Sequence, residues 1–238
     1  MADSVLTIVQ DFCGKMGLPV PSALIGVTES SVVQYRALMK DLVYELAEFN
    51  WQQQSIRATW VSTAAEDQGS LFDLFGADYH SLVPGSIWDE TEKRPIFGPV
   101  GDASWEMYKA FVNPGPVYQY RIAQNRFLIN PEMPAGHTIG AVYMTGYGIT
   151  DETGAVSKPV FTVDSDLVIY PDNVVRKSLE WRWKKIKGEP WVDDFAEYRT
   201  LLARKKKKDA NMQTLYLDGP NMGANFVPGI WVPAGGVV

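Results

Sequence analysis

The stretch that most limits what this chain can become is a helix that cannot stand alone. From Ser30/Ser31 to about Phe49, the residues Tyr35, Leu38, Met39, Leu42, Val43, Leu46 and Phe49 recur at helical spacing and make a wide apolar stripe. Lys40, Asp41, Glu45 and Glu48 fall mostly off that stripe. A stripe this wide must be covered by other apolar helices, and candidates lie at both ends of the chain. Near the start, Asp3 or Ser4 can cap a short helix that places Val5, Ile8, Val9, Phe12 and Met16 on one face and stops at Gly17 and Pro19. Near the end, Asp172 can cap a helix to about Lys187, stopped by Gly188. Pro190 then opens another, with Phe195, Tyr198 and Leu202 on its apolar face.

The middle of the chain has a different texture. SIRATWVST alternates like a strand, and VYQYRIAQNRFLINP reads as a hairpin with its turn at Ala123–Asn125. AGHTIGAVYMTGYGI and KPVFTVDSDLVIY read as further strands, while GSIWDE and RPIFGP are short pieces broken by Gly and Pro. DASWEMYKAF is a short helix capped by Asp102; SLFDLFG and ADYHSLV are ambiguous. The expected fold class is α+β. N-terminal helices (1–54) and C-terminal helices (171–211) form a helical bundle, a β-rich insertion occupies 55–170, and an extended C-terminal arm runs over 212–238.

That arm is unusual. Met212–Val238 holds one charged residue, Asp218, with three prolines and five glycines, yet it displays Leu215, Tyr216, Leu217, Phe226, Val227, Ile230 and Trp231. Disordered tails are ordinarily solvated by charge. This one suits docking on a partner's groove or sheet edge, and fully extended it could reach roughly 80–90 Å.

Charge is also segregated. The chain carries a formal net charge of -6, but Arg176–Lys208 alone has twelve Lys/Arg against five Asp/Glu. Its basic residues Arg176, Arg182, Lys184, Lys185, Arg204, Lys205, Lys206, Lys207 and Lys208 form a candidate subunit interface or basic patch. The surrounding acidic sequence would attract it, within the subunit or between copies. The run Arg204–Lys208 could instead neutralise nucleic-acid phosphates, although no recognition module surrounds it.

Chemistry-bearing motifs are sparse. Cys13 is the single cysteine, so no intrachain disulfide can form, and it reads as a small buried apolar residue. His80 and His137 are the only histidines and stand in separate segments, so no metal site or cofactor is expected. Phosphate-loop and nucleophile-elbow patterns are lacking. Paired carboxylates are the one enzymatic possibility: Asp89 and Glu90 beside Trp88, the Asp164/Asp166 pair, or Asp193–Asp194 could supply the acid and base of a glycan-acting enzyme. The N-terminus has neither a basic leader nor a long apolar run, and no stretch approaches the roughly 18–20 residues of a membrane span. A cytosol-like compartment, or something assembled there, is expected.

Taken in order, HSLVPGSIWDETEKRPIFGP, SWEMYKAF, GPVYQYRIAQNRFLINPEMPAGHTIGAVYMT, VDSDL and SLEWRWKKIKGEPWVDDFAEYRTLL resemble the head-to-tail adaptor proteins of short-tailed bacteriophages. The resemblance spans about Asp41 to Lys208 and rests on packing and turn motifs, not on catalytic ones. It implies a non-enzymatic virion protein with a helical bundle and a β-rich insertion. Such a protein forms a ring, usually a dodecamer, in the neck between capsid and tail. The ring docks on the portal protein through C-terminal segments, extends the channel for passing DNA, and offers a platform to tail nozzle or tail fibre proteins. No membrane is involved, and assembly takes place in the host cytoplasm.

Overall fold

A computed structural model describes residues 3–110 and 117–210. The chain begins with α1 (Val5–Met16) and α2 (Ser30–Ala47), then a single 3-10 turn at Gln52–Gln54. The sheet region runs through β1 (Ser55–Val61), β2 (Asp67–Ser70), α3 (Leu71–Phe75), β3 (Tyr79–Leu82), β4 (Trp88–Asp89), β5 (Arg94–Phe97), α4 (Asp102–Ala110), β6 (Tyr118–Ala123), β7 (Arg126–Asn130) and β8 (Thr138–Thr145). Three short strands follow, β9 (Ile149–Thr150), β10 (Ser157–Lys158) and β11 (Leu167–Val168), and then α5 (Asp172–Lys187) and α6 (Val192–Ala210).

The expected helical bundle with a β-rich insertion is not what forms. The fold is mixed α/β, with a large, curled eight-stranded sheet of order β1-β8-β4-β5-β6-β7-β2, β3 also pairing with β8, and six helices among the described residues. Two facts make it so. The sheet builds its own core from Trp60, Phe75, Ile96, Tyr120, Phe127, Ile129 and Ile139, so it is no appendage of a bundle. The helical layer, conversely, is not closed by helices alone: Ile149, Val168 and Tyr170 of the β9–β11 region belong to the same buried cluster as α1, α2 and α5.

Local chemistry explains most elements. Ser4 caps α1 by accepting a hydrogen bond from the Thr7 amide at 3.1 Å, and Gly17 ends it in the left-handed conformation. Asp172 does not cap α5 as expected. Pro171 takes the N-cap position, without a side-chain cap, and Asp172 is the first residue of the helix, where a carboxylate favours the positive helix end. Its Oδ1 accepts from the Asp3 amide at 3.4 Å and so ties the start of α5 to the residues that lead into α1. The β6–β7 hairpin turns on Gln124 and Asn125, both at positive φ (50° and 59°), as a two-residue turn that follows sheet twist requires.

Helix α5 is the hub of the helical layer, packing against α1, α2 and α6. Trp183 on α5 joins Phe12 and Tyr35 in a buried aromatic trio with ring centroids 5.2–6.0 Å apart. Each large apolar side chain buried here contributes roughly 1.5–3 kcal/mol. In the sheet, β8 is the spine: β1 lies along one edge, and β4 and β3 share the other. One parallel pairing, β5 with β6, joins the two antiparallel halves.

Candidate functional site

The residues between α2 and β1 connect everything that meets near the end of α6. The Trp51 indole donates to the Leu46 carbonyl at 3.0 Å, and the Trp51 amide donates to Gln54 Oε1 at 2.7 Å. The Gln54 amide group then donates to the carbonyls of Ala47 (3.2 Å) and Thr145 (2.9 Å), fastening the end of α2 to the end of β8. From the other side, the Gln52 amide donates to Asp209 at 2.9 Å, and Lys206 Nζ donates to the Phe49 carbonyl. Lys206 also lies over the rings of Phe49 and Trp51, 5.8 and 5.2 Å from their centroids. Burial pulls its pKa below the usual lysine range, against the opposing effect of Asp209.

A cleft of ≈ 690 Å³ opens beside this joint. Its wall is Trp51 with Leu167–Tyr170 of β11 and the link into α5; Thr150 and Gly154 close one side, and Asp172, Lys205, Lys208 and Asp209 stand at the rim. Tyr170 is buried with its hydroxyl against Gly148, where a Cβ would lie 2.5 Å from that oxygen. The close approach explains glycine at that position, and burial pushes the Tyr170 phenol well above its ordinary pKa.

The basic residues of α5 are mostly engaged inside the subunit. Arg176 pairs with Asp3 and, at 2.8 Å, with Asp11 of α1. Arg182 pairs with Glu45 of α2, and Lys184 pairs with Asp194 of α6 at 2.6 Å. Lys185 sits over Trp181 and Trp191 at 5.8 and 5.2 Å. The lysine run does not act as one patch either. Lys206 turns inward, Lys205 and Lys208 border the cleft, Lys207 is exposed, and Arg204 lines a shallow groove on α6 with Glu197, Thr200 and Leu201. Leu215, Tyr216, Leu217, Phe226, Val227, Ile230 and Trp231 lie outside the described residues.

The carboxylates suited to glycan chemistry are held by other partners. Asp89 is fully buried; its Oδ1 accepts from the amides of Thr91 (3.0 Å) and Glu92 (3.1 Å), and its Oδ2 faces His137 Nδ1 at 2.8 Å. Glu90 crosses over Gly140, where any Cβ would collide with it, to pair with Arg57. Asp164 accepts from the amides of Leu24 and Ile25, both at 3.0 Å. Asp166 is fully buried; burial raises its pKa, but Lys158 at 2.6 Å and the amides of Thr162 and Val163 outweigh this and leave it lowered. Asp194 serves Lys184, and its neighbour Asp193 is exposed in the first turn of α6. Asp89, Glu90, Asp164, Asp166 and Asp194 therefore each pin backbone or balance a cation.

Sequence reasoning missed the Asp89–His137 pair and the Trp51–Gln54 joint. Asp89 and His137 are 48 residues apart and belong to no motif; only the pairing of β4 with β8 brings them together. Among the described residues, no three His, Cys, Asp or Glu side chains gather to share a metal ion, and no helix is long and apolar enough to cross a membrane. Comparison with protein-family profiles and with curated proteins finds no match for this chain.

Proposed function

We propose that this chain is a head-to-tail adaptor of a short-tailed bacteriophage. It acts as a virion structural protein whose copies form a ring that docks on the portal, extends the DNA channel and receives tail components. The observation that carries this reading is the run of segments from Asp41 to Lys208 that resembles such adaptors, above all IWDETEKRPIFGP, YRI…FLINP and LEWRWKKIKGEPW. Those segments fall on the β4–β5 hairpin, the β6–β7 hairpin and α5, which are joints of the fold and not surface decoration. The nearly uncharged arm 212–238 is the portal-docking element of this reading. A ring multiplies one weak contact per subunit into high avidity, so each arm needs only a small interface. Net negative charge on each subunit favours passage of DNA over adhesion, with the acidic side chains toward the channel.

The test is assembly with a portal protein, followed by native mass measurement and electron microscopy. A multi-copy ring that joins the portal is expected. Deletion of 212–238 should abolish docking while the circular dichroism of the remainder is unchanged. A protein that stays monomeric and ignores the portal, or a truncated chain that still docks, would overturn the respective part of the reading.

A further inference from the structure

The large sheet ends on strands of different character. β2 and β3, which each have one partner in it, are four residues long and shift register against that partner, an irregularity that spoils an edge for further pairing. β1 also has one partner, β8, but runs seven residues in unbroken register and contains no proline. The direction of its peptide groups follows from its surroundings. The Ser62 amide donates to the His137 carbonyl and the Glu90 amide to the Thr138 carbonyl, both at 2.8 Å, so the odd-numbered residues of β8 turn their peptide groups toward β1. Alternation then turns the peptide groups of Ile56, Ala58 and Trp60 toward β8, and those of Arg57, Thr59 and Val61 away from the sheet. Among the described residues, no backbone group bonds to the outward amides and carbonyls. The side chains of Arg57, Thr59 and Val61 are exposed, and Arg57, the one charge in the strand, is already paired with Glu90. Nothing in β1 itself guards this edge.

We propose that β1 is a docking edge for a second copy of this chain, whose own β1 lies antiparallel to it with Thr59 opposite the partner's Thr59. In that register the strand is its own complement. Arg57 faces the partner's Val61, so the outward amides and carbonyls of Arg57, Thr59 and Val61 all find partners in about six hydrogen bonds. Ala58 faces the partner's Trp60, small against large, and the two threonines make a favourable cross-strand pair. Charge selects this register over its neighbours. Setting Arg57 opposite the partner's Arg57 would oppose like charges and call on the Ser55 amide, which already donates to the Gln52 carbonyl. Setting Val61 opposite the partner's Val61 would leave Arg57 with no strand residue facing it. The contact is twofold and closes on two copies, so one sheet runs through both and neither leaves its β1 edge bare. One strand pair is well below the ~1,600 Å² of a standard interface, so the dimer is weak and reversible. A closed twofold contact does not build a ring, and the proposal does not rest on the adaptor reading.

Symmetric disulfide trapping in the full-length protein tests the register. Cys13 is buried and Thr59 and Val61 are exposed, so T59C and V61C each add one reactive thiol on the same face of the strand. Directly opposed residues of the proposed pair have Cα atoms about 5.5 Å apart, within the roughly 4.4–6.8 Å that a disulfide spans. Val61 and the partner's Val61 are four residues out of step, roughly 14 Å along the strands, and cannot be bridged. Under mild oxidation T59C is expected to form disulfide-linked dimers at least about tenfold faster than V61C, although Val61 is 62% exposed. Sedimentation of the unmodified protein over a concentration series should show a reversible dimer. T59K should weaken it severalfold by opposing like charges. T59P should abolish it, because it removes an outward amide and spares the β8 ladder, which unchanged circular dichroism would verify. Equal trapping rates, faster trapping of V61C, a protein that stays monomeric up to ~1 mM, or a T59K variant that dimerises like the wild type would each overturn the proposal. None of these readouts involves the portal, so the adaptor reading stands or falls separately.

Discussion

In the helical layer α5 reaches its neighbours through side-chain ion pairs: Arg176 to Asp3 and Asp11, Lys15 to Glu180, Arg182 to Glu45, Lys184 to Asp194. In the sheet layer ion pairs such as Arg57–Glu90 and Arg126–Asp67 lie toward solvent, and the more deeply placed polar fastenings run from side chain to backbone. Asp89 holds the amides of Thr91 and Glu92, and Gln68 bonds the Thr63 amide and the carbonyls of Thr63 and Ala65. Ser62 donates to the Pro134 carbonyl and accepts from the His137 amide. Most of the ion pairs keep at least one partner in contact with water, while Asp89 is fully buried and Gln68 and Ser62 nearly so. Screened pairs contribute little each, whereas a buried backbone group that loses its partner is costly. The helices are therefore held by apolar packing and trimmed by charge; the sheet depends on its pins as well as its packing.

The largest effect expected from breaking this contrast is in the sheet core. Phe127 is fully buried, stacks on Tyr120 at 5.2 Å and meets Trp60 edge-on at 5.4 Å. Phe127→Ala should cost about 3–5 kcal/mol in urea unfolding. A smaller but still clear loss is expected for Asp89→Ala, about 1–3 kcal/mol, because it removes a fully buried carboxylate that two amides and His137 share. Loss of less than ~0.5 kcal/mol there would mean that the pins are dispensable.

The smallest effect belongs to the helical layer. Lys184→Met should cost under ~1 kcal/mol at neutral pH. The hydrogen bond from Lys184, with the further pull of Lys177, holds the Asp194 carboxyl below its usual range despite partial burial. A depressed carboxylate contributes stability that is fully present above its unfolded pKa, ~3.9, and is lost as pH falls through the folded value. The gap between wild type and Lys184→Met should therefore close in acid. Unfolding midpoints measured against pH would show it, and a gap that persisted below pH ~2 would assign the stabilisation to packing of the lysine stem instead.

Much of the helical layer could be read directly. The stripe from Tyr35 to Leu46 names the buried face of α2, and Ser4, Gly17 and Gly188 mark helix ends by their own chemistry. The Gln124–Asn125 turn was legible for the same reason, since positive φ selects residues that tolerate it. The sheet's extent was not. β4, β9, β10 and β11 are two residues each, too short for any alternation to register, and they are strands only because β8, β5 and one another supply their partners. The candidate site was hidden for the same reason. Trp51, Leu167, Lys205 and Asp209 are spread over most of the chain, and nothing local distinguishes Lys206, turned inward onto Phe49, from the exposed Lys207 beside it.

What the sequence determined by itself is therefore whatever depends on a few neighbouring residues: helical periodicity, caps, a hairpin turn, the segregation of charge, and the nearly uncharged character of residues 212–238. Tertiary structure alone decided that the middle of the chain is a large curled sheet with its own core, that the paired carboxylates pin backbone, and that a cleft rimmed by two lysines and two aspartates opens where α6 meets Trp51. Periodicity and capping are short-range properties of the chain. Strand pairing, burial and the sharing of a carboxylate between distant amides are settled only when residues far apart in sequence compete for the same partners in space.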